Sequence, residues 1–600
     1  MGNNGYELAA SAPNNSVPQR VPHGDLSFRI PGAQLVTTED FGISDEPTWF
    51  GSANAPLFGW LARPTSKGII GGVVIVPSVG YEARNAKVAI RQLARSLAQA
   101  GFATLRFDLR GTGDSSEDFA NILPSPDWAI DVSSAVNFIQ SAGIESVSVI
   151  GFRLGATLAA AAIDQQEIKV SSLVLWDPCE SGGSYLRELG ALESLRRENF
   201  VESEDGSVET SEFLFSKDMV TALRSFKITM NARNASDRRT LVITRTSRPL
   251  STRLHTQLQS CGADFRTTEE QEALLNVLPF SAAVPATTIK MIIDWLTDVG
   301  TSTLNDISFT TVTEALLCDK EGELRIRERA AFISSPALFT MLSEPIHGPM
   351  GPWVILIGNV HDDHTGQSRL WVELSRRWAQ CGLRCARVDL SGLGESSRPG
   401  HDLSVEHLDP RWVSDVISLA RTLDPQDPSN TVFIGFCASA SLAIEGALAV
   451  KARGVCAVNP PLGRNVSHAI YSLQLTHSPL SQLMARRAKR VLLTHPWAIT
   501  TIWETIRRAL PGRWFADVLQ SLSDQGTDLL LFGNAEDQQK HSRIPIVRSL
   551  EGRRPGQSPR FPSVLVPDLD HAMTSASGRM RVTTYLEEHV RTKFALPHGT

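Results

Sequence analysis

The sequence predicts an α/β protein built from two tandem domains, each a mostly parallel sheet flanked by helices. Three observations predict it: a long internal repeat, short apolar strands alternating with helical stretches, and one strand–turn–helix motif per repeat. The repeat keeps a constant offset, since Trp128 and Trp412, Asp131 and Asp415, and Gly151 and Gly435 are each 284 residues apart. Upstream, GGVVIVPSVG (71–80) and GFATLRFDLRGTGDSS (101–116) correspond to GPWVILIGNV (351–360) and GLRCARVDLSGLGESS (382–397). Solenoid repeats have periods of roughly 20–50 residues, so a repeat this long predicts a complete domain per copy.

The strands VVIV, TLRFDL, SVSVIGF and SLVLWD, like VILIG, RCARVDL, TVFIGF and GVCAVN, are continuous apolar runs. Such runs suit strands covered on both faces, the condition of a parallel sheet with helices on each side. Ligands of these sheets gather at the carboxyl ends of strands, so chemistry is expected in the loops that follow them. A chain of 600 residues exceeds a single core. The expected division is a disordered tail over 1–24, a first domain over 25–300, a linker over 301–324 and a second domain over 325–600.

Composition narrows the function classes. The content is 42% hydrophobic and 20% charged, that of a globular protein, and the net charge of −6 leaves no basic footprint for nucleic acid. The N-terminus lacks the basic and apolar regions of a signal peptide. The longest apolar runs fall short of the roughly 18 residues a membrane span needs, so no membrane association is predicted. Seven cysteines without a CxxC pair predict neither a disulfide framework nor a zinc site, and point to a reducing, cytoplasmic setting. No cofactor is predicted, because GTGDSS and GLGESS lack the lysine and spacing of a phosphate loop. His361, Asp362, Asp363 and His364 form a metal-like cluster, but adjacent residues rarely converge on one ion, so no metal is predicted either.

The chemistry-bearing motif is the turn between strand and helix. Gly-x-nucleophile-x-Gly in that position forms an elbow that presents one side chain at the strand end, beside a helix N-terminus. The first copy reads Gly151-Phe152-Arg153-Leu154-Gly155 and the second Gly435-Phe436-Cys437-Ala438-Ser439. A guanidinium stays protonated and cannot attack, whereas a thiol lowered in pKa by a helix N-terminus and an imidazolium can. Ser439 replaces the second glycine and is expected to crowd the helix–strand contact.

With the openings PTWFGSANAPLFGWLARP and DLRGTGDSS, these motifs resemble the α/β-hydrolase superfamily, within it the serine-aminopeptidase-like branch that includes exosortase-system-associated hydrolases. The resemblance covers roughly 45–300 and 325–592. It implies two α/β-hydrolase domains, each with a helical lid insertion, and in the second copy a triad. Cys437 would attack, His571 (after the strand SVLVPDL) would move the proton, and Asp537 would orient the imidazole, with Glu536 as the alternative acid. Backbone N–H groups of Ala438 and of Asn359 or Val360 would hold the oxyanion. The first copy has no acid after TLVITRTSRP and no histidine after ADFRTTEEQEALL, so it would be inactive, a pseudoenzyme domain. There Arg153 would bind an anionic group at the old pocket mouth, or else be a residue tolerated after the site decayed.

Each copy inserts about 60–65 residues between its sixth and seventh strands. The second insertion (462–526) mixes Trp497, Trp503 and other apolar residues with arginines. The arginines read first as a solvated face; read as a pocket rim, they would suit an acyl chain on an anionic handle, such as a CoA or carrier-protein thioester. The first insertion is acidic, with Glu188, Glu193 and Glu209 among its residues, and would attract the second. The expected function is acyl hydrolysis or acyl transfer from an ester or thioester through an acyl-cysteine. Two alternatives stand beside it: a non-catalytic double-hydrolase scaffold that binds a ligand, and a lyase or cyclase using His571 and Asp537 as acid and base. A homo-oligomer is left open.

Overall fold

The computed structural model describes residues 42–122, 124–196, 206–228, 238–277, 281–298, 302–304, 307–319, 322–347, 350–359, 362–396, 409, 411–460, 511–533, 563–566, 569, 573 and 575–595. The first sheet contains β1 (Ile43–Ser52), β2 (Ala55–Pro64), β3 (Gly71–Val76), β4 (Phe102–Phe107), β5 (Val147–Phe152) and β6 (Ser172–Trp176). A hairpin of β7 (Val208–Glu209) and β8 (Leu214–Phe215) stands apart, and β9 (Arg239–Arg245) and β10 (Asp264–Thr268) complete the sheet. Its order is β1-β2-β4-β3-β5-β6-β9-β10. The first three are antiparallel neighbours and the rest pair in parallel.

The second sheet repeats this order with one strand added at its edge. It contains β11 (Glu314–Cys318), β12 (Leu324–Ile333), β13 (Leu338–Pro345), β14 (Trp353–Ile357), β15 (Arg384–Val388), β16 (Thr431–Phe436), β17 (Gly454–Val458), β18 (Asp528–Gly533) and β19 (Ser563–Leu565), ordered β11-β12-β13-β15-β14-β16-β17-β18-β19. The added β11 corrects one expectation. The stretch 301–324 is no free linker: Glu314–Cys318 pairs antiparallel with β12, Leu304 bridges Ile69, and Val312 accepts a hydrogen bond from the Trp49 N–H. Its alternating Ala315 and Leu317 are buried against the sheet, a period-2 signal too short to stand out in a charged stretch.

Helices cover both faces of each sheet because alternate strand residues point to opposite sides. Val74 and Val76 face one core and Val73 and Ile75 the other, while Ile355 and Ile357 oppose Val354 and Leu356. The repeated Trp and Asp hold the loop after the fourth strand in register. The Trp128 indole N–H donates to the Arg110 carbonyl at 3.1 Å, and Asp131 accepts the Arg110 N–H at 2.9 Å. Trp412 and Asp415 do the same to Ser391, each at 2.9 Å. In the turn that follows, Gly113 and Gly394 have positive φ and lie so close to the Asp108 and Asp389 carboxylates that a Cβ would fall 2.0 and 2.3 Å from them.

These two turns meet at the boundary between the halves, where each is gripped by arginines of the other. Arg106 of β4 forms a bidentate pair with Glu395, at 2.9 and 2.8 Å, and Arg91 donates to the Gly394 carbonyl at 2.6 Å. In return Arg387 of β15 pairs with Asp114, and Arg376 donates to the Asp114 carbonyl at 2.6 Å. Arg369 donates to the carbonyls of Gly113 and Glu117, both at 2.7 Å. An apolar cluster seals the boundary: Trp49, Phe58 and Trp60 pack with Phe332, Phe339 and Met341.

His364 is the one histidine within this buried network among the described residues. Its ring lies 2.6 Å from Asp114 of the first half and 3.0 Å from Asp389 of the second. Burial opposes its charge, but the two carboxylates outweigh that and raise its pKa from 6.5 to about 9. Arg387, Lys87 and Asp108 also face this cluster. A histidine pKa raised by folding contributes stability that is complete below about pH 6.5 and is lost as pH rises through about 9. His364→Gln is expected to flatten the fall in melting temperature over that window. His364→Ala should cost about 3–5 kcal/mol, because it strips a buried partner from two carboxylates; chemical denaturation measures it.

Candidate active site

The elbows lie at the carboxyl ends of the central strands β5 and β16. Cys437 has φ 54° and ψ −119°, a backbone conformation that non-glycine residues rarely adopt and that is retained only where the surroundings impose it. Its N–H donates to the Val458 carbonyl at 2.9 Å, its carbonyl accepts from Ala440 at 3.1 Å, and the helix Ala438–Val450 begins at the next residue. The turn leaves no room at Gly435, where a Cβ would lie 2.2 Å from the Ser439 carbonyl oxygen. The thiol is half-buried, at the N-terminal end of the helix Ala438–Val450.

Ser439 does not crowd this turn as expected. In the first half the equivalent Gly155 is tight, with a Cβ 2.3 Å from the carbonyl oxygens of Val76 and Pro77. In the second half the Ser439 hydroxyl fits, accepting from the Phe436 N–H at 2.9 Å and lying 3.1 Å from the Ile357 carbonyl. The hydroxyl thereby ties the elbow to the end of β14.

Arg153 has the same backbone, φ 56° and ψ −119°, with its N–H on the Trp176 carbonyl at 3.0 Å. Its side chain departs from expectation. It was expected to meet a ligand at a pocket mouth, but it is 2% exposed and saturated by protein carboxylates. Glu82 lies at 2.7 Å, Glu188 at 2.5 Å and Asp177 at 3.5 Å. Burial opposes the charge, yet Glu82 and Asp177 hold the guanidinium more firmly protonated than usual. Asp177 also binds Arg245, and Glu188 also binds Arg248, so the charges close on themselves. Burial pushes the nearby Cys179 thiol up to about 12. A cavity of about 280 Å³ adjoins this cluster, lined by Glu180, Arg187, Glu188 and Arg248 rather than by Arg153.

Of the other expected site residues, Ala438 is the first residue of the elbow helix and Asn359 follows β14, both half-buried. Val360, His571, Asp537, Glu536, Trp497 and Trp503 lie outside the described residues. The strands that precede Asp537 and His571 in the sequence are described: β18 runs parallel to β17, β19 runs parallel to β18, and the Val566 N–H donates to the Gly533 carbonyl at 3.1 Å. Their carboxyl ends therefore share the sheet edge that carries Cys437.

Sequence reasoning missed the turn after β14 as a structured element. Asp362 pairs with Arg84, Asp363 with Lys87, and His364 with Asp114 and Asp389. Of the cluster that looked metal-like, His361 lies outside the described residues, and the other three side chains go to separate partners. Its signal in the sequence was an acidic run facing a basic helix, Arg84, Lys87 and Arg91, in the other copy.

Among the described residues no helix is long and apolar enough to cross a membrane. Residues 82–201 match the model of the family described as serine aminopeptidase, S33, a hydrolase family. The comparison with curated proteins gave no match. Similar solved structures include the esterase Est1E of Butyrivibrio proteoclasticus with ferulic acid bound, at 13% identity over 42% of this chain and 98% of that one, with a TM-score of 0.33. The Pyrococcus furiosus esterase Pf2001 gives 15% identity over 42% and 90%, TM-score 0.31. A hypothetical protein of Pseudomonas aeruginosa, PA2218, gives 16% over 44% and 99%, TM-score 0.32. Two sheets of this strand order, a strained turn between a central strand and a helix, and the hydrolase family match place the chain in the α/β-hydrolase superfamily.

Proposed function

We propose that the second half is an acyl hydrolase or acyltransferase that works through an acyl-cysteine at Cys437. One observation carries this reading: the strained elbow is built in both halves, and only in the second does it hold out a half-exposed nucleophile at a helix N-terminus. In this mechanism the Cys437 thiolate attacks the carbonyl carbon of an ester or thioester, and the carbonyl electron pair moves onto oxygen. The N–H groups of Ala438 and of the turn at Asn359 or Val360 hold that oxyanion; one such donor typically lowers a barrier by about 3–4 kcal/mol. The intermediate collapses, the alcohol or thiol leaves with a proton from His571, and Asp537 (or Glu536) orients the imidazole. Water or an acceptor, deprotonated by His571, then releases the acyl group.

The first half is catalytically silent in this reading, because Arg153 stands at the elbow tip, cannot attack, and is paired with Glu82. Trp497, Trp503 and the basic residues of the second insertion would line the pocket for an acyl chain on an anionic carrier. A reducing, cytoplasmic setting suits the free thiol.

Intact mass spectrometry after exposure to p-nitrophenyl esters and acyl thioesters is expected to show one acyl adduct, mapped to Cys437. Cys437→Ala should abolish the adduct and lower turnover by about 10³-fold or more. Turnover that survives Cys437→Ala but not His571→Ala would replace this reading with non-covalent acid–base chemistry. Saturable binding without any turnover would replace it with a scaffold.

Arg153→Ala separates the two halves. It should destabilise by about 3–5 kcal/mol, since it abandons buried carboxylates. Turnover per folded molecule should stay within about twofold, as measured under conditions where circular dichroism shows a native fold.

A further inference from the structure

The first half touches the second at two backbone elements beside the Cys437 elbow. The first is the turn after β14. The Ile357 carbonyl lies 3.1 Å from the Ser439 hydroxyl of the elbow, and Ile357 pairs in register with Gly435. The chain then folds back so tightly that a Cβ at Gly358 would lie 2.9 Å from the carbonyl oxygens of Asp362 and Asp363, and the Asp362 N–H donates to the Asn359 carbonyl at 3.0 Å. From the first half, Arg84 and Lys87 on the helix Gly80–Ala100 hold the carboxylates of Asp362 and Asp363. Arg84 also reaches Gln367 at 2.9 Å.

The second element is the segment before the helix Ala576–Phe594. Arg579 donates to the Met573 carbonyl at 2.8 Å, two residues along the chain from His571. The same guanidinium nitrogen donates to the Ser211 carbonyl of the first half at 2.9 Å, and Glu209 accepts the Ala576 N–H at 3.1 Å. Ser211 and Glu209 belong to the β7–β8 hairpin region, whose Glu212 holds the other side of Arg84 at 2.9 Å. One short stretch of the first half, Glu209 to Glu212, therefore links both elements.

We propose that the first half is a built-in positioning partner: Arg84 and Lys87 fix the turn at Asn359 that offers an oxyanion donor, and Glu212, from the stretch that also holds Arg579, braces Arg84. None of these side chains reaches the reacting atoms, so they are positioning residues. The inference rests on the reading of Cys437 as a nucleophile, and its test separates the two.

In the whole chain, Arg84→Gln with Lys87→Gln is compared with the wild type in three measurements. These are acylation of Cys437 by a p-nitrophenyl ester, alkylation of Cys437 by iodoacetamide, and hydrogen exchange at Asn359, Asp362, Asp363 and His364. Alkylation needs no oxyanion donor, so it should stay within about threefold. Acylation should fall at least about tenfold, part of the 10²–10³-fold that one such donor is typically worth, and exchange should quicken in the Arg84/Lys87 variant. Lys87→Arg, which keeps the charge, should restore wild-type rates at that site. An acylation-to-alkylation ratio unchanged in this variant overturns the proposal. If the wild type alkylates but takes no acyl group, the cysteine reading has failed instead. Exchange then decides positioning, quicker exchange upholding it and unchanged exchange overturning it. Should the double variant fail to fold, Lys87→Gln alone carries the same comparison, since its side chain is 36% exposed.

Discussion

The structure depends on two buried acidic turns that neither half can neutralise alone. Asp114 and Glu395 stand at matching places in the GTGDSS and GLGESS segments, and each finds its arginine in the other half, at Arg387 and Arg106. A carboxylate removed from water is tolerable only when paired and hydrogen-bonded. Here the swapped pairs are joined by arginines on the turn carbonyls and by His364 bridging Asp114 to Asp389. Burial of Trp60 against Phe339, with ring centroids 5.0 Å apart, keeps water from the pairs and so strengthens them. Pulling the halves apart would expose an aromatic patch and unpair these charges at once. The boundary therefore behaves as a third core, not as a hinge.

That boundary explains how two nearly identical elbows come to hold opposite chemistry. The backbone of the elbow is fixed by close packing at Gly151 and Gly435 and by one hydrogen bond to the neighbouring strand, none of which involves the side chain at its tip. The tip residue is thus free to change without loss of fold. In the first half it is an arginine, and a charged side chain that large is housed at 2% exposure with Glu82, Asp177 and Glu188 around it. In the second half a small thiol remains, half-buried and packed against the core beside Phe436.

The sheet was legible because strands buried on both faces leave continuous apolar runs, and the elbows because their glycines answer to backbone contact. Trp128, Trp412, Asp131 and Asp415 were legible as a repeat, though not as what they are: clasps on the loop after the fourth strand. The inter-half clamp was not legible. Arg91, Arg106, Arg369 and Arg387 look like ordinary surface charges in a sequence, because nothing local records that their partners lie about 250–300 residues away. The turn at 362–364 hid its partners for the same reason: its side chains diverge to Arg84, Lys87, Asp114 and Asp389, the last two both held by His364. Arg153 misled through its fold position, since a helix N-terminus favours any anion, and the protein's own carboxylates reached it first.

The asymmetry between the halves then follows from where constraint is concentrated. A site residue that packs against nothing can be lost, but the helix Gly80–Ala100 and the strand β4 cannot change freely, because Arg84, Lys87, Arg91 and Arg106 complete charges of the second half. Breaking one buried pair typically costs about 3–5 kcal/mol, against a total stability of about 5–15 kcal/mol for a domain. Removing two such contacts would outweigh most of what holds the molecule together. The first half is thus bound to its fold by the charges it completes in its neighbour.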